Sequence, residues 1–237
     1  MGLSLRLKKI ADMIDNGSVV ADIGTDHGLL PVYLMRRSKS EAVIASDIRK
    51  APFEKARACI ERSGTGKYIQ TVLTAGLEGM LIDSLSHIII AGMGGETISK
   101  ILLNGDGSAD FDPVVYKNRK FIMQPMTRAY ELRLFLTENG FFIKSETLVK
   151  DSGRIYKIME AEYDGMRREK DRFYLCYGDV EGYTDEGLKK EYIAREMKKV
   201  EKMLSGLKKI VDPDADMKES IAEAEMFLER LRGYLPI

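Results

Sequence analysis

The feature that most constrains this sequence is the alternation of short β-branched runs with longer segments of helical periodicity. The runs SVVADIG (18–24), EAVIASD (41–47), YIQTVLT (68–74), SHIIIAG (86–92) and KFIMQP (120–125) read as strands. Between and after them, LLPVYLMRR (29–37), APFEKARACIERSG (51–64), a short GLEGMLID (76–83), ETISKILLNG (96–105) and TRAYELRLFLTENG (127–140) read as helices. An opening helix precedes them, its apolar face formed by Leu3, Leu7, Ile10 and Ile14. Strands joined by helical crossovers must lie parallel in a sheet covered on both faces. The rhythm then changes, because FFIKSETLVK (141–150) and RIYKIMEAEY (154–163) are separated only by Asp151-Ser152-Gly153, which is hairpin spacing. The predicted α/β architecture is therefore a seven-stranded, mostly parallel sheet closed by an antiparallel hairpin.

From about residue 182 no strand pattern remains. Ile193, Met197, Val200, Leu204 and Leu207 alternate spacings of four and three, as do Met217, Ile221, Ala224, Leu228 and Leu231, with Asp212-Pro213 between them. This predicts a C-terminal helical hairpin. The expected domains are 1–162, carrying the sheet, and 163–237, carrying the hairpin.

Composition narrows the function classes. With 44% hydrophobic and 31% charged residues over 237 positions, the chain is an ordinary globular protein. No stretch approaches 18 apolar residues and no basic-then-apolar leader opens it, so no membrane association is expected and the cytoplasm is the expected location. Cys59, Cys176 and two histidines form no zinc-like spacing, so no metal is expected. A monomer or weak dimer is the expected state. The balance of 37 basic and 37 acidic residues excludes a basic field over the whole surface. Locally, however, residues 189–209 hold eight basic and three acidic side chains.

In an open parallel sheet, ligands bind outside the carboxyl ends of the strands. After the first strand the chain reads DIGTDHG, Asp22 to Gly28. Gly24 permits the tight turn and Gly28 a close helix start, but the G-x-G-x-x-G glycines that press backbone against a pyrophosphate are missing. A nucleoside without phosphates suits such a loop. Asp47 ends the second strand, near the offset at which a carboxylate accepts both ribose hydroxyls of an adenosine. After the fourth strand, AGMGGET (91–97) exposes backbone amides at a helix start. It approaches a dinucleotide fingerprint, which keeps a nicotinamide-dependent oxidoreductase as a rival.

Together, DIGTDHGLLP, Asp47, AGMGGETI, QPM with the Tyr130 helix, and the hairpin DSGRIYKI resemble the TrmK family of bacterial tRNA (adenine-N1)-methyltransferases, which modify adenine 22, over about residues 3 to 162. The resemblance implies a Rossmann-like class I methyltransferase fold, S-adenosyl-L-methionine as cofactor, tRNA as partner and a small C-terminal helical domain. It implies that Asp22, Gly24, Thr25, Asp26, His27 and Gly28 line the methionine and ribose end of the cofactor, and that Asp47 and Ile48 hold the ribose and flank the adenine. Ala75, Gly76 and Leu77 fall at the adenine contact, though the family commonly has Asn or Asp where Ala75 stands. Ala91, Gly92 and Met93 complete the cofactor set. Met93, Gly94 and Gly95 would form the floor of a target-base pocket.

A ring nitrogen of adenine has an in-plane lone pair ready to attack, whereas an exocyclic amine typically needs an N/D-P-P-Y segment after the fourth strand. GMGG stands there instead. Asp26 is the expected carboxylate beside the cationic product, against a helix-capping role; His27 and Gln124 are the other catalytic candidates, and Tyr130 or Tyr33 would stack on a flipped base. His87 reads as structural. Lys198, Lys199 and Lys202 are the expected RNA contacts, with Arg6, Lys8 and Lys9 and the group Lys117, Arg119, Lys120 as smaller basic segments. Methylation of a small molecule or another RNA, and non-catalytic RNA binding, remain the alternatives.

Overall fold

The computed structural model describes residues 2–210, 212 and 214–235. The chain forms two compact units, one ending at Cys176 and the other beginning at Tyr177.

In the first unit, helix α1 (Leu5–Asp12) starts at Ser4, whose side chain caps Leu7 N–H. Strand β1 (Ser18–Ile23), helix α2 (Leu29–Arg36), strand β2 (Ser40–Asp47), helix α3 (Lys50–Ser63) and strand β3 (Ile69–Leu73) follow. Strand β4 (His87–Gly94), helix α4 (Gly95–Asn104), strand β5 (Lys120–Thr127) and helix α5 (Ala129–Glu138) complete the crossovers. The hairpin strands β6 (Phe141–Asp151) and β7 (Arg154–Tyr163) close the sheet, and the short helix α6 (Arg172–Tyr177) ends the unit. The strand order is β3-β2-β1-β4-β5-β7-β6. The pairs from β3 through β5 are parallel, and β7 runs antiparallel to both β5 and β6. The order reverses between β1 and β4, the crevice where such sheets bind ligands.

Alternation along the strands splits the core in two. Ile88 and Ile90 of β4 join Ala21, Ile23, Phe121, Met123, Ile98 and Leu132 under α4 and α5. Ile89 points the other way, to Val20, Val43, Ile122, Ile10 and Leu34 under α1 and α2. A strand buried on both faces explains why HIII reads as a continuous apolar run. His87, at the opposite edge from the strand ends, is buried; its Nε2 lies 3.2 Å from Asp15 and its Nδ1 3.0 Å from the Ser86 hydroxyl. It serves the structure, as expected.

One expectation needs correction. The segment GLEGMLID is not an α-helix: Gly76 and Gly79 both take positive φ, and only Ile82–Ser84 forms a single 3-10 turn. The first unit runs to Cys176. The buried Arg133 guanidinium on α5 binds Glu146 on β6 through two 2.7 Å bonds and donates to Leu175 O at 2.8 Å, which ties α6 to the sheet unit.

The second unit holds helices α7 (Glu186–Leu207) and α8 (Ala215–Arg232), packed against each other. Asp185 and Asp214 cap their N-termini. Val200 and Leu204 face inward on α7, as do Ala224, Phe227, Leu228 and Leu231 on α8. Asp212 is described and its neighbour Pro213 lies outside the described residues.

Candidate functional site

A cavity of about 970 Å³ opens at the carboxyl ends of β1, β2 and β4. Its first wall is the DIGTDHG loop. Gly24 and Thr25 N–H groups both donate to Ser46 O at 2.8 Å, which pins the loop across β2. Gly24 has φ of 74°, a left-handed conformation that strains any side chain, and a Cβ there would also displace the end of the Met93 side chain. Asp26 also adopts positive φ, a strained conformation that Asp tolerates better than most residues. The N-cap of α2 is Gly28 and no side chain caps that helix, so Asp26 is not held by capping. Its exposed carboxylate lies 3.4 Å from His27 Nε2 at the cavity edge.

Two buried carboxylates anchor the floor. Asp47 Oδ1 accepts from Arg49 N–H at 2.8 Å, and its other oxygen has no partner among the described residues. Asp22 is buried at the end of β1, and loss of hydration pushes its pKa up to about 6, with the Asp47 charge adding to the rise and the Arg6 charge opposing it. Ser46, fully buried beside them, has a hydroxyl without a hydrogen-bond partner. Ile48 is 68% exposed although it is apolar, and it lines the cavity. A buried carboxylate with a free oxygen, a hydroxyl unpartnered among the described residues and a bare aliphatic side chain suited to a planar base together fit an adenosine.

Of the residues read from sequence as cofactor contacts, Asp22, Gly24, Thr25, Asp26, Asp47, Ile48, Ala75, Gly76, Ala91, Gly92 and Met93 line this cavity, as does His27. Gly28 and Leu77 do not. Gly28 lies under α3, where a Cβ would meet Ala56 O at 3.0 Å, and Leu77 is fully buried in the core. The predicted target-base group is less coherent, since only Met93 faces the cavity. Gly94 caps α4; Gly95 is buried where a Cβ would strike Arg128 O. Tyr130 and Tyr33 stay half-buried on α5 and α2, outside the lining. Gln124 is fully buried, its Nε2 donating to Pro125 O and its Oε1 accepting from Arg6.

Arg6 is the residue that sequence reasoning placed elsewhere. Counted there with Lys8 and Lys9 as an RNA-facing cation, it instead reaches from α1 into the cavity. Nothing local in the sequence marks it, because its neighbours Gln124 and Tyr156 come from β5 and β7. The segment 100–111 was also missed: Lys100, Ile101, Asn104, Ser108 and Phe111 extend the cavity beyond the adenosine end.

On α7, Lys198 and Lys202 are exposed and lie one turn apart, with no ion pair among the described residues. Lys199 bonds Glu196 at 2.7 Å. Among the described residues no His, Cys, Asp and Glu cluster of three or more can hold a metal ion, and no helix is long and apolar enough to cross a membrane.

Comparison with known proteins converges on one family. A methyltransferase-domain family matches residues 3–159. The tRNA (adenine(22)-N(1))-methyltransferase of Bacillus subtilis is 35% identical over 171 residues, 69% of each chain. Two solved structures superpose along nearly the whole length. A Streptococcus pneumoniae protein, described as a tRNA (m1A22) methyltransferase candidate in complex with S-adenosyl-L-methionine, has TM-score 0.79 and 26% identity over 99% of this chain and 100% of that one. TrmK of M. capricolum, bound to S-adenosyl-homocysteine, has TM-score 0.76 and 26% identity over 98% and 97%. The carboxyl-end cavity, the strand order and these likenesses agree, and the chain belongs to the TrmK family of class I methyltransferases.

Proposed function

We propose that this protein is an S-adenosyl-L-methionine-dependent tRNA methyltransferase that modifies ring nitrogen 1 of an adenine, adenine 22 being the position named for its Bacillus subtilis relative. The observation that carries the reading is the cavity floor, where the buried Asp47 carboxylate and the bare Ile48 side chain stand side by side at the carboxyl end of β2, next to the switch point of the sheet. When bound there, S-adenosyl-L-methionine supplies an electrophilic methyl group on a sulfonium centre. The residues of this chain bind and orient. Asp47 would accept from the ribose hydroxyls, Ile48 would cover the adenine, and the glycine-bent backbone at Gly24 would allow close approach.

For the acceptor, positioning is most of what is required, since holding two reactants in line replaces a bimolecular encounter. N1 of adenine needs no base to free its lone pair, which fits Gly92-Met93-Gly94-Gly95 in place of an amide-and-proline acceptor segment. The product ring carries a positive charge. Asp26, ionisable and held at the cavity edge without a capping role, is the carboxylate we assign to stabilising that charge, with His27 beside it. Lys198 and Lys202 on α7 contact phosphate, and Lys199 contributes less because Glu196 already holds it. Action on tRNA supports a cytoplasmic location.

The direct test is methylation of unmodified tRNA with isotope-labelled cofactor, followed by nucleoside mass spectrometry and mapping. The expected product is 1-methyladenosine at position 22, lost when that adenine is replaced. Label on an exocyclic amine, or none on RNA, would refute the assignment. In the same assay, Asp26→Asn should slow single-turnover methylation at least tenfold with cofactor affinity unchanged. A rate equal to wild type would remove Asp26 from the reaction.

A further inference from the structure

The cavity continues past the groups that the cofactor reading uses. Helix α4 leaves the carboxyl end of β4 and presents Thr97, Lys100, Ile101 and Asn104 to the cavity, residues three and four positions apart and so on one face. At about 1.5 Å per residue this face runs about 10 Å away from the strand end. Thr97 stands at its near end, since a Cβ on Gly94 would lie 3.9 Å from the Thr97 hydroxyl. The result is a trough along α4 that opens from the place where a target base would meet the methyl donor.

The far wall of the trough is built in advance. Gly79 N–H donates to Asp106 O and Gly107 N–H to Asn104 O, both at 2.9 Å, and Asp106 Oδ1 accepts from Ser108 N–H at 2.9 Å. Gly105 and Gly107 have positive φ, and a Cβ on them would meet the Phe111 ring and the Glu78 side chain, so glycine lets these loops pack this closely. Phe111 is half-buried against the Tyr116 ring, 5.2 Å between centroids, and also lines the cavity. The polar groups facing this wall are unused. Lys100, Asn104 and Glu78 are exposed, and neither their side chains nor the Thr97 hydroxyl has a hydrogen bond or ion pair among the described residues.

A cation, an amide that both donates and accepts, and an aromatic side chain along one fixed trough match the three parts of a nucleotide: its phosphate, its base edge and its base face. A base that leaves its helix to reach a cofactor brings its neighbours with it, and contacts to those neighbours set substrate choice. We propose that the trough along α4 seats a nucleotide next to the target adenine, with Lys100 on its phosphate, Asn104 on its base edge and Phe111 against its base.

This rests on the tRNA reading given above, and methylation kinetics with binding measurements separate the two. Intact unmodified tRNA is compared with tRNA carrying an abasic residue just before or just after the target adenine. For the wild-type protein one of these two should raise KM about tenfold, the worth of one stacked and hydrogen-bonded base. Asn104→Ala should raise KM for intact tRNA about fivefold and add nothing on that abasic RNA, whose missing base is the group Asn104 reads. Lys100→Ala should raise KM for intact and abasic RNA alike and lower the log–log salt dependence of binding by about one. Both variants should bind S-adenosyl-homocysteine within about twofold of wild type in isothermal titration, which also shows that they fold. A wild-type KM in either variant, or abasic tRNAs that both behave as intact tRNA, would overturn the trough assignment alone. Weakened S-adenosyl-homocysteine binding in either variant would return this face of α4 to the cofactor and overturn it too. No methylation of tRNA by the wild-type protein would remove the tRNA reading, and this inference with it.

Discussion

Asp22 sits where two demands oppose each other. Burial raises its pKa from 3.8 to about 6, so the folded chain keeps a proton that the unfolded chain has released across that window. Because the native state binds more protons there, the group's contribution to stability declines as pH rises through the window, and above about 6 the folded protein carries the full penalty. A shift of about two units corresponds to a destabilisation on the order of 3 kcal/mol. Asp22→Asn should therefore raise the melting temperature of the ligand-free protein at pH 7.5, and flatten its pH dependence between 4 and 6. The same change should weaken S-adenosyl-homocysteine binding, and wild-type affinity should fall as pH drops below about 6 and the carboxylate is lost. Thermal scans and calorimetry over pH 5 to 8 test both halves; a variant that is less stable at pH 7.5 and binds as before would sink the reading. Asp47→Asn, by contrast, should cost about tenfold in cofactor affinity through the ribose contact. These residues were readable in advance because strand ends and glycine bends fix where Asp22, Gly24 and Asp47 must lie. Arg6 and Gln124 were not, since their meaning comes from a pairing between a helix and a distant strand.

Among the elements, α5, β6 and α6 are joined by one buried ion pair. Arg133 and Glu146 are both fully buried at their side chains, and the guanidinium also satisfies Leu175 O. Removing one partner leaves the other charged, dry and unpaired, which typically costs about 3–5 kcal/mol. Glu146→Leu alone should therefore lower stability in urea titration by about that amount. The double variant Arg133→Met with Glu146→Leu should recover a large part of it. A double variant as unstable as the sum of the singles would show that the packing around Leu175, not the charge pair, holds the unit together. The same pair helps explain why the sheet unit runs to Cys176. The alternation of runs was enough to read every strand, because each has β-branched residues bounded by turn formers and β4 is apolar on both faces. It failed at GLEGMLID, where helical spacing of Leu77, Met80 and Leu81 masks two glycines that leave the helical region, and at α6, too short to show a period.

For the molecule as a whole, neutrality is the property most easily misread. The 37 basic and 37 acidic residues cancel in the sum, yet the excess of cations between 189 and 209 lies on helix α7 of the second unit and on the two lysines that follow it. Not all of these charges are available to a phosphate. Lys189 lies 3.5 Å from Glu186, Lys199 bonds Glu196, and Lys208 pairs with Glu225. Lys198 and Lys202 are exposed on neighbouring turns and unpaired among the described residues. Phosphate contacts add affinity without sequence preference and release counterions, so each one lost lowers the salt dependence of binding by about one unit in log–log slope. Lys198→Ala with Lys202→Ala should thus raise KM for tRNA severalfold at physiological salt, reduce that slope by up to about two, and leave S-adenosyl-homocysteine affinity untouched. Lys199→Ala is the internal control. It removes a charge that Glu196 already neutralises, and its effect on KM should be the smaller. Filter binding across a salt series decides the matter: a slope equal to wild type in the double variant, or a larger loss from Lys199→Ala than from Lys198→Ala, would move the tRNA contact off this face of α7.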